Sequence, residues 1–246
     1  RYLPHALFYD GQVAANVSVN RISFRLGGRR RTYLQLGTVM THPKYRGMGL
    51  SRFLMETVLQ TWSDRCDGMY LFANETVLDF YPKFGFVRAE EAQPFLPATP
   101  QTPIPLRRLD PGNQADRALL LNAYHCSNPF SSFFMEENDG LLLFYALGPF
   151  RDLLYAPLEK NAVAILEEDG DTLFCHELLG QWAGDLEKTL NQLARPHTRR
   201  IGLGFTPKDK LPGMTWQPGE EHLFVLSGKE NPFAGQKLFF PTISHA

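Results

Sequence analysis

The spacing of hydrophobic positions changes at Gly49. Residues 36–41 form an apolar, partly β-branched stretch that reads as a strand. From Leu50 onward, Leu50, Phe53, Leu54, Val58 and Trp62 recur at helical intervals, with Ser51, Arg52, Glu56, Gln60 and Thr61 opposite them. That is the stripe of an amphipathic helix. Upstream, 6–10 and 13–24 read as a strand pair turning at Asp10-Gly11. Gly27-Gly28 then marks a second turn, and Arg29, Arg30 and Arg31 after it read as a solvated hairpin tip or as a rim that draws acidic groups. Downstream, 69–73 reads as a short buried strand, followed by a helical segment that leads to Tyr81 and Gly85-Phe86.

The pattern then breaks and starts again. Pro94, Pro97, Pro100, Pro103 and Pro105 crowd the stretch 92–105, which reads as an extended linker. Beyond it the expected elements are a strand at 104–109, helices at 114–125 and 137–147, and strands at 153–168 and 171–178. An amphipathic helix at 182–194 and a strand at 199–205 follow. That order is β-α-α-β-β-α-β, and the expected class is α/β.

Composition narrows the function classes. A chain of 246 residues, 43% hydrophobic and 21% charged, has room for one or two globular domains. Its net charge of −1 argues against nucleic acid or an anionic membrane as partner. There is no apolar run of about 18 residues or more. Cys66, Cys126 and Cys175 have neither disulfide-framework nor zinc spacing, and no His-Glu-x-x-His occurs. The expectation is a reduced, metal-free, cytoplasmic protein. The sequence carries no signal for its oligomeric state.

The chemistry concentrates where the first strand hands over to the first helix. The opening turn of a helix presents unpaired N–H groups and a positive dipole end, and small residues let a bulky anion reach that backbone. Gly47 and Gly49 sit there, and Arg46 adds a formal charge. Two well-known phosphate loops do not fit. A P-loop needs lysine after the last glycine, where Leu50 stands, and the dinucleotide fingerprint needs glycine or alanine where Arg52 stands. On the glycines alone, a loop ending before a core helix fits as well as an anion site.

The downstream residues distinguish the two. Arg46-Gly47-Met48-Gly49 before an amphipathic helix, Asn74 seven residues before Tyr81, and Tyr81 four before Gly85-Phe86 together resemble the GNAT family of acyl-CoA N-acyltransferases. The resemblance covers about residues 5 to 90. It implies a mixed, splayed sheet flanked by helices, with acetyl-CoA as cosubstrate held between two parallel strands. Val39, Met40 and Thr41 would pair with the pantetheine arm and hold the thioester carbonyl. The amides of Gly47, Met48, Gly49, Leu50, Ser51 and Arg52 would wrap the pyrophosphate beside Arg46. Asn74 would bond the cofactor near the thioester, and Tyr81 would be the general acid that protonates the leaving thiolate. The acceptor would be an amine on a small molecule or peptide, attacking directly in a ternary complex.

Two positions depart from the family pattern. Ser51 stands where Gly or Ala is usual, and its hydroxyl can itself bond phosphate. The general-base Glu has no counterpart, since Gly37, Thr38 and Met69 occupy the usual places. Water, or Glu75 and His42 by their position in the sequence, could serve, although solvated loop roles suit both residues. A non-catalytic acyl-CoA-binding or sensor protein is therefore the alternative. By the same resemblance, a strand and two helices are expected to precede this chain's first residue. The expected division is a cofactor lobe over 1–95, a linker over 96–105, and a degenerate GNAT-like lobe over 106–246. In that second lobe Trp182 and Asp185 spoil the phosphate turn, because an aspartate there repels phosphate. The lobe would wall the acceptor side. Glu137, Asp139, Glu167 and Glu168 could draw a cationic amine, though surface solvation explains each.

Overall fold

A computed structural model describes residues 2–158 and 160–245. In chain order its elements are β1 (Tyr2–Tyr9), β2 (Gln12–Leu26), β3 (Arg29–Thr41), α1 (Leu50–Trp62), β4 (Gly68–Ala73), β5 (Phe86–Arg88) and β6 (Ala92–Pro97). There follow β7 (Leu106–Arg108), α2 (Gln114–Cys126), β8 (Ser131–Glu136), α3 (Asp139–Leu147), β9 (Leu154–Pro157), β10 (Ala162–Asp169) and β11 (Thr172–Gly180). The last are α4 (Leu186–Leu193), β12 (Arg200–Leu203), β13 (Thr206–Pro207), β14 (Thr215–Pro218) and β15 (His222–Leu226). Among the described residues no helix is long and apolar enough to cross a membrane.

The strands form two mixed sheets, the α/β architecture that the sequence pattern implies. The first runs β13-β8-β2-β3-β4-β15-β5, with β1 also on β2; the second runs β14-β6-β12-β11-β10-β9-β7. Both early hairpins turn on residues with positive φ, Asp10 with Gly11 and Gly27 with Gly28, as two-residue hairpin loops require. Strand β2 sorts its side chains by face. Ala15, Val17 and Val19 pack with Leu54, Met55 and Val58 of α1, while Ile22 and Phe24 join Phe133 and Phe240 on the other face.

The chain order and the sheet order diverge after β5. Strand β6 follows β5 in sequence yet pairs with β12 and β14 in the second sheet. Strand β15, near the far end of the chain, inserts between β4 and β5 of the first. Strands β8 and β13 extend the first sheet on its other side. Hydrogen bonding thus crosses the 1–95 and 106–246 segments in both directions.

Several expected elements shift. Residues 92–97 are strand rather than linker. Pro94 is paired only toward Trp216 and Pro97 only toward Arg200, so neither proline has to bond on both edges. The expected strand 153–168 divides into β9 and β10, which fold back on each other with Leu154 beside Ile165; Glu159 in that span lies outside the described residues. The helix expected from 182 starts at Leu186, because Gly184 takes a φ of 93° and Asp185 caps in extended conformation. Between β4 and Tyr81 the expected helix is a short 3-10 turn, Glu75–Val77, with a second at Tyr81–Phe84.

Candidate functional site

Strands β3 and β4 run parallel but pair over only three positions, Tyr33 with Gly68, Leu34 with Met69 and Gln35 with Tyr70. Beyond Gln35, among the described residues, β3 pairs with no strand but β2, and beyond Tyr70, β4 follows β15. The facing edges of 36–41 and 71–73 therefore diverge. The local cause is a bulge: Thr38 has a φ of 49°, and the β2–β3 register shifts between Asn16 and Ser18. Asn16 fixes it by donating from Nδ2 to the Thr38 carbonyl at 3.0 Å and to Ser18 Oγ at 2.9 Å. Val39 packs partly into the α1 core, Met40 is exposed, and the Thr41 hydroxyl bonds the Ser51 hydroxyl. The open edge of β3 can pair with an extended ligand as another strand would.

This edge leads to the start of α1. Gly47 and Gly49 have φ values of 79° and 77°, and a Cβ at either would meet nothing within 4 Å. Gly49 is the N-cap, no side chain caps the helix, and its first turn holds no acidic residue, so the positive end stays uncompensated. Thr41, Tyr45, Arg46, Ser51, Arg52 and Phe80 help line a depression of about 390 Å³ there. Arg46 is exposed, with Nε 3.5 Å from the Thr41 carbonyl. Arg52 lies over the Phe84 ring and 3.7 Å from Glu56.

Asn74 and Tyr81 sit at the end of β4. The Asn74 Oδ1 accepts from Thr76 N at 3.1 Å and Thr76 Oγ1 at 3.2 Å, so its oxygen caps the 3-10 turn, and only Nδ2 is left to face a ligand. Tyr81 is buried among Phe80, Phe86 and Phe224, with ring centroids 5.3, 6.4 and 5.9 Å away. Burial raises its phenol above the ordinary value, and among the described residues its hydroxyl has no hydrogen-bond partner. Phe224 comes from β15. The elements expected from the pattern end at 205, although the apolar run at 223–226 marks this strand.

The two base candidates have other partners. Glu75 projects into solvent, 3.8 Å from His222, and the His42 Nδ1 accepts from Lys44 N at 3.3 Å to cap a short turn. Among the described residues no group of three or more His, Cys, Asp or Glu is placed to hold a metal ion.

The second sheet also holds a parallel pair, with different surroundings. Strands β11 and β12 are parallel from Thr172 beside Arg200 to Cys175 beside Leu203. Two residues past that last pair stands Glu177, as Gly37 stands two past Gln35. Glu177 is fully buried; its Oε1 accepts from Asn128 Nδ2 at 3.0 Å, and burial pushes the carboxyl up to about 8. Past β12 the chain's own C-terminal segment is bound: Thr242 donates from its backbone N to the Gly204 carbonyl at 2.8 Å and from Oγ1 to the same atom. At the helix start, Asp185 Oδ1 accepts from Lys188 N at 2.7 Å and takes the place an anion would need.

The splayed pair, the uncapped helix start and the ring-packed tyrosine all fall within residues 5–89, which match the family model described as an acetyltransferase (GNAT) domain. Residues 5–89 are a GNAT domain. Solved structures extend the likeness of fold beyond the GNAT domain to nearly the whole chain. Eis1 from Mycobacterium abscessus is 13% identical with a TM-score of 0.57, covering 91% of this chain and 63% of its own. A GCN5-related N-acetyltransferase from Anabaena variabilis is also 13% identical, with a TM-score of 0.55 and coverages of 90% and 62%. A conserved protein of unknown function from Enterococcus faecalis is 16% identical, at 0.57 with coverages of 90% and 61%. The chain thus spans about three-fifths of the length of these structures. No curated protein matches it.

Proposed function

We propose that this chain transfers an acetyl group from acetyl-CoA to a primary amine by direct attack in a ternary complex. One observation carries the reading: the diverging edges of β3 and β4, the uncapped α1 and the buried Tyr81 meet at one end of one sheet. The pyrophosphate would lie on the amides of 47–52 beside Arg46, the pantetheine arm along Val39, Met40 and Thr41, and Asn74 Nδ2 near the thioester. Strand-edge N–H groups are fixed donors for the negative charge that develops on the thioester oxygen. As the C–N bond forms and the C–S bond breaks, the amine loses a proton to water and Tyr81 gives one to the thiolate. Water is the acceptor because Gly37 and Thr38 bring no carboxylate to the first opening. The cytoplasm, where acetyl-CoA is met, is the proposed compartment.

That missing carboxylate favours the second reading, a non-catalytic acyl-CoA sensor. A sensor has no use for a leaving-group acid, so retention of Tyr81 favours the enzyme. Measuring coenzyme A release against a panel of amines decides between them. Amine-dependent release supports transfer, whereas one-to-one acetyl-CoA binding with no release supports the sensor.

A further inference from the structure

The face of the first sheet turned away from α1 is apolar at one end, where Ile22 and Phe24 pack with Phe133. Toward the splayed end, β2 carries Asn16, Ser18 and Asn20 on that same face, all buried. Strand β3 sets Gln35 beside Asn20. Buried amides and hydroxyls cost stability unless they are bonded. Asn16 is bonded to Thr38 and Ser18, and the Ser18 hydroxyl donates to Tyr2 OH at 2.6 Å. Asn20 differs. It is 5% exposed, and among the described residues its Nδ2 is buried with no hydrogen-bond partner.

Asn20 lines a cavity of about 730 Å³ whose walls include Tyr2, Glu137, Asp139, Leu141 and Phe144. Mostly apolar walls with a few convergent polar groups are what small-molecule sites have. The rim carboxylates are already engaged, Glu137 by Arg30 and Asp139 by His125 at 3.1 Å. Selection here therefore rests on Asn20 and the apolar walls rather than on charge.

We propose that this cavity receives the acyl acceptor, and that Asn20 selects a primary amine whose aromatic or alkyl body carries a hydrogen-bond-accepting oxygen. The inference rests on the acyl-transfer reading. Strand β2 runs from the cavity toward the reacting position: Asn20, Ser18 and Asn16 follow one another on one face, Ser18 lies beside Gly37, and Asn16 holds the Thr38 carbonyl. Two residues of strand span about 7 Å, so the oxygen on Asn20 and an amine level with Gly37 lie about that far apart. The Asn20 Nδ2 can only donate, so the ligand atom it meets is an acceptor.

Tyramine and phenethylamine differ only in the phenol oxygen and make the test. In the intact chain, tyramine is expected to exceed phenethylamine in kcat/KM for coenzyme A release by about 5–10-fold, the worth of one hydrogen bond. Asn20→Leu should reduce that ratio to near one, chiefly by lowering kcat/KM for tyramine, with acetyl-CoA affinity in place. It should not lower the melting temperature, because it removes a buried donor that has no partner. If the variant does not fold, the amine pair on the unaltered chain still decides, and equal kcat/KM values overturn the inference. Release with spermidine or lysine but with neither aryl amine overturns it while acyl transfer stands. No release with any amine, and no tyramine binding by calorimetry with coenzyme A present, overturns both.

Discussion

Tyr81 keeps its proton at neutral pH as any phenol does, and burial among Phe80, Phe86 and Phe224 raises it further. Tyr81→Phe retains that packing and removes only the hydroxyl. Turnover is expected to fall by about 10²–10⁴-fold, the usual contribution of a general acid, with acetyl-CoA affinity little changed. The loss should shrink for acyl donors with a more acidic thiol. Normal turnover across pH would move the acid role elsewhere. Glu177 and Glu91 make a different prediction. Burial raises their carboxyls to about 8 and about 7, so the folded chain holds protons that the unfolded chain releases in the ordinary glutamate range. Their contribution to stability is fully present below that range and is lost as pH rises through about 7 and 8. Melting temperature should decline from pH 5 to pH 8 and then level, and Glu177→Gln should flatten part of the slope. A melting temperature that rises over that window contradicts the assignment. At this scale the sequence shows the motif residues, since Arg46, the glycines, Asn74 and Tyr81 lie at short, fixed spacings. Asn20, Glu177 and Phe224 acquire their roles only through partners far along the chain.

Among elements, α1 was legible from end to end. Its periodicity is strong, and Gly49 stops it from extending backward. Strand β6 was hidden by its prolines, whose tolerance depends on which edge is paired, and α4 started late because a capping aspartate and a glycine precede it. The α1 start offers a direct test. Gly49→Val meets no steric obstacle, but valine resists a φ of 77°: holding it in the left-handed region costs about 1–2 kcal/mol, and leaving that region re-aims the turn. Acetyl-CoA affinity should drop by roughly tenfold by calorimetry, in line with that energy, with helical circular dichroism retained. Undiminished affinity would place the pyrophosphate away from this turn. The α4 start should contribute no second site, because Asp185 caps it and Thr242 already bonds the Gly204 carbonyl at the end of β12. Titration is expected to give one acetyl-CoA per chain, and Asp185→Asn should not add another.

For the whole molecule, the element order in the sequence suggested two successive units, but it could not show that β6 and β15 each join the other sheet. No local pattern encodes which distant edge a strand will find. Neither 1–95 nor 106–246 is expected to melt cooperatively when produced alone, since each lacks a strand from the interior of its sheet. Deleting 220–246 should cost activity as well, because Phe224 leaves the Tyr81 ring. A cooperative calorimetric transition from isolated 1–95 would refute the interdependence.

The same pairing has a consequence during translation. Ala73 leaves the ribosome well before His222, its neighbour in the finished sheet. At roughly 5–20 residues per second, the intervening chain takes on the order of 10 s to make. Through that interval β1, β2 and β3 can close their hairpins while the far edge of β4 waits unpaired. A nascent chain in that state offers its neighbour on the same messenger the position reserved for β15, so crowded polysomes favour strand exchange between copies. Slower initiation, which spaces the ribosomes apart, favours pairing within one chain.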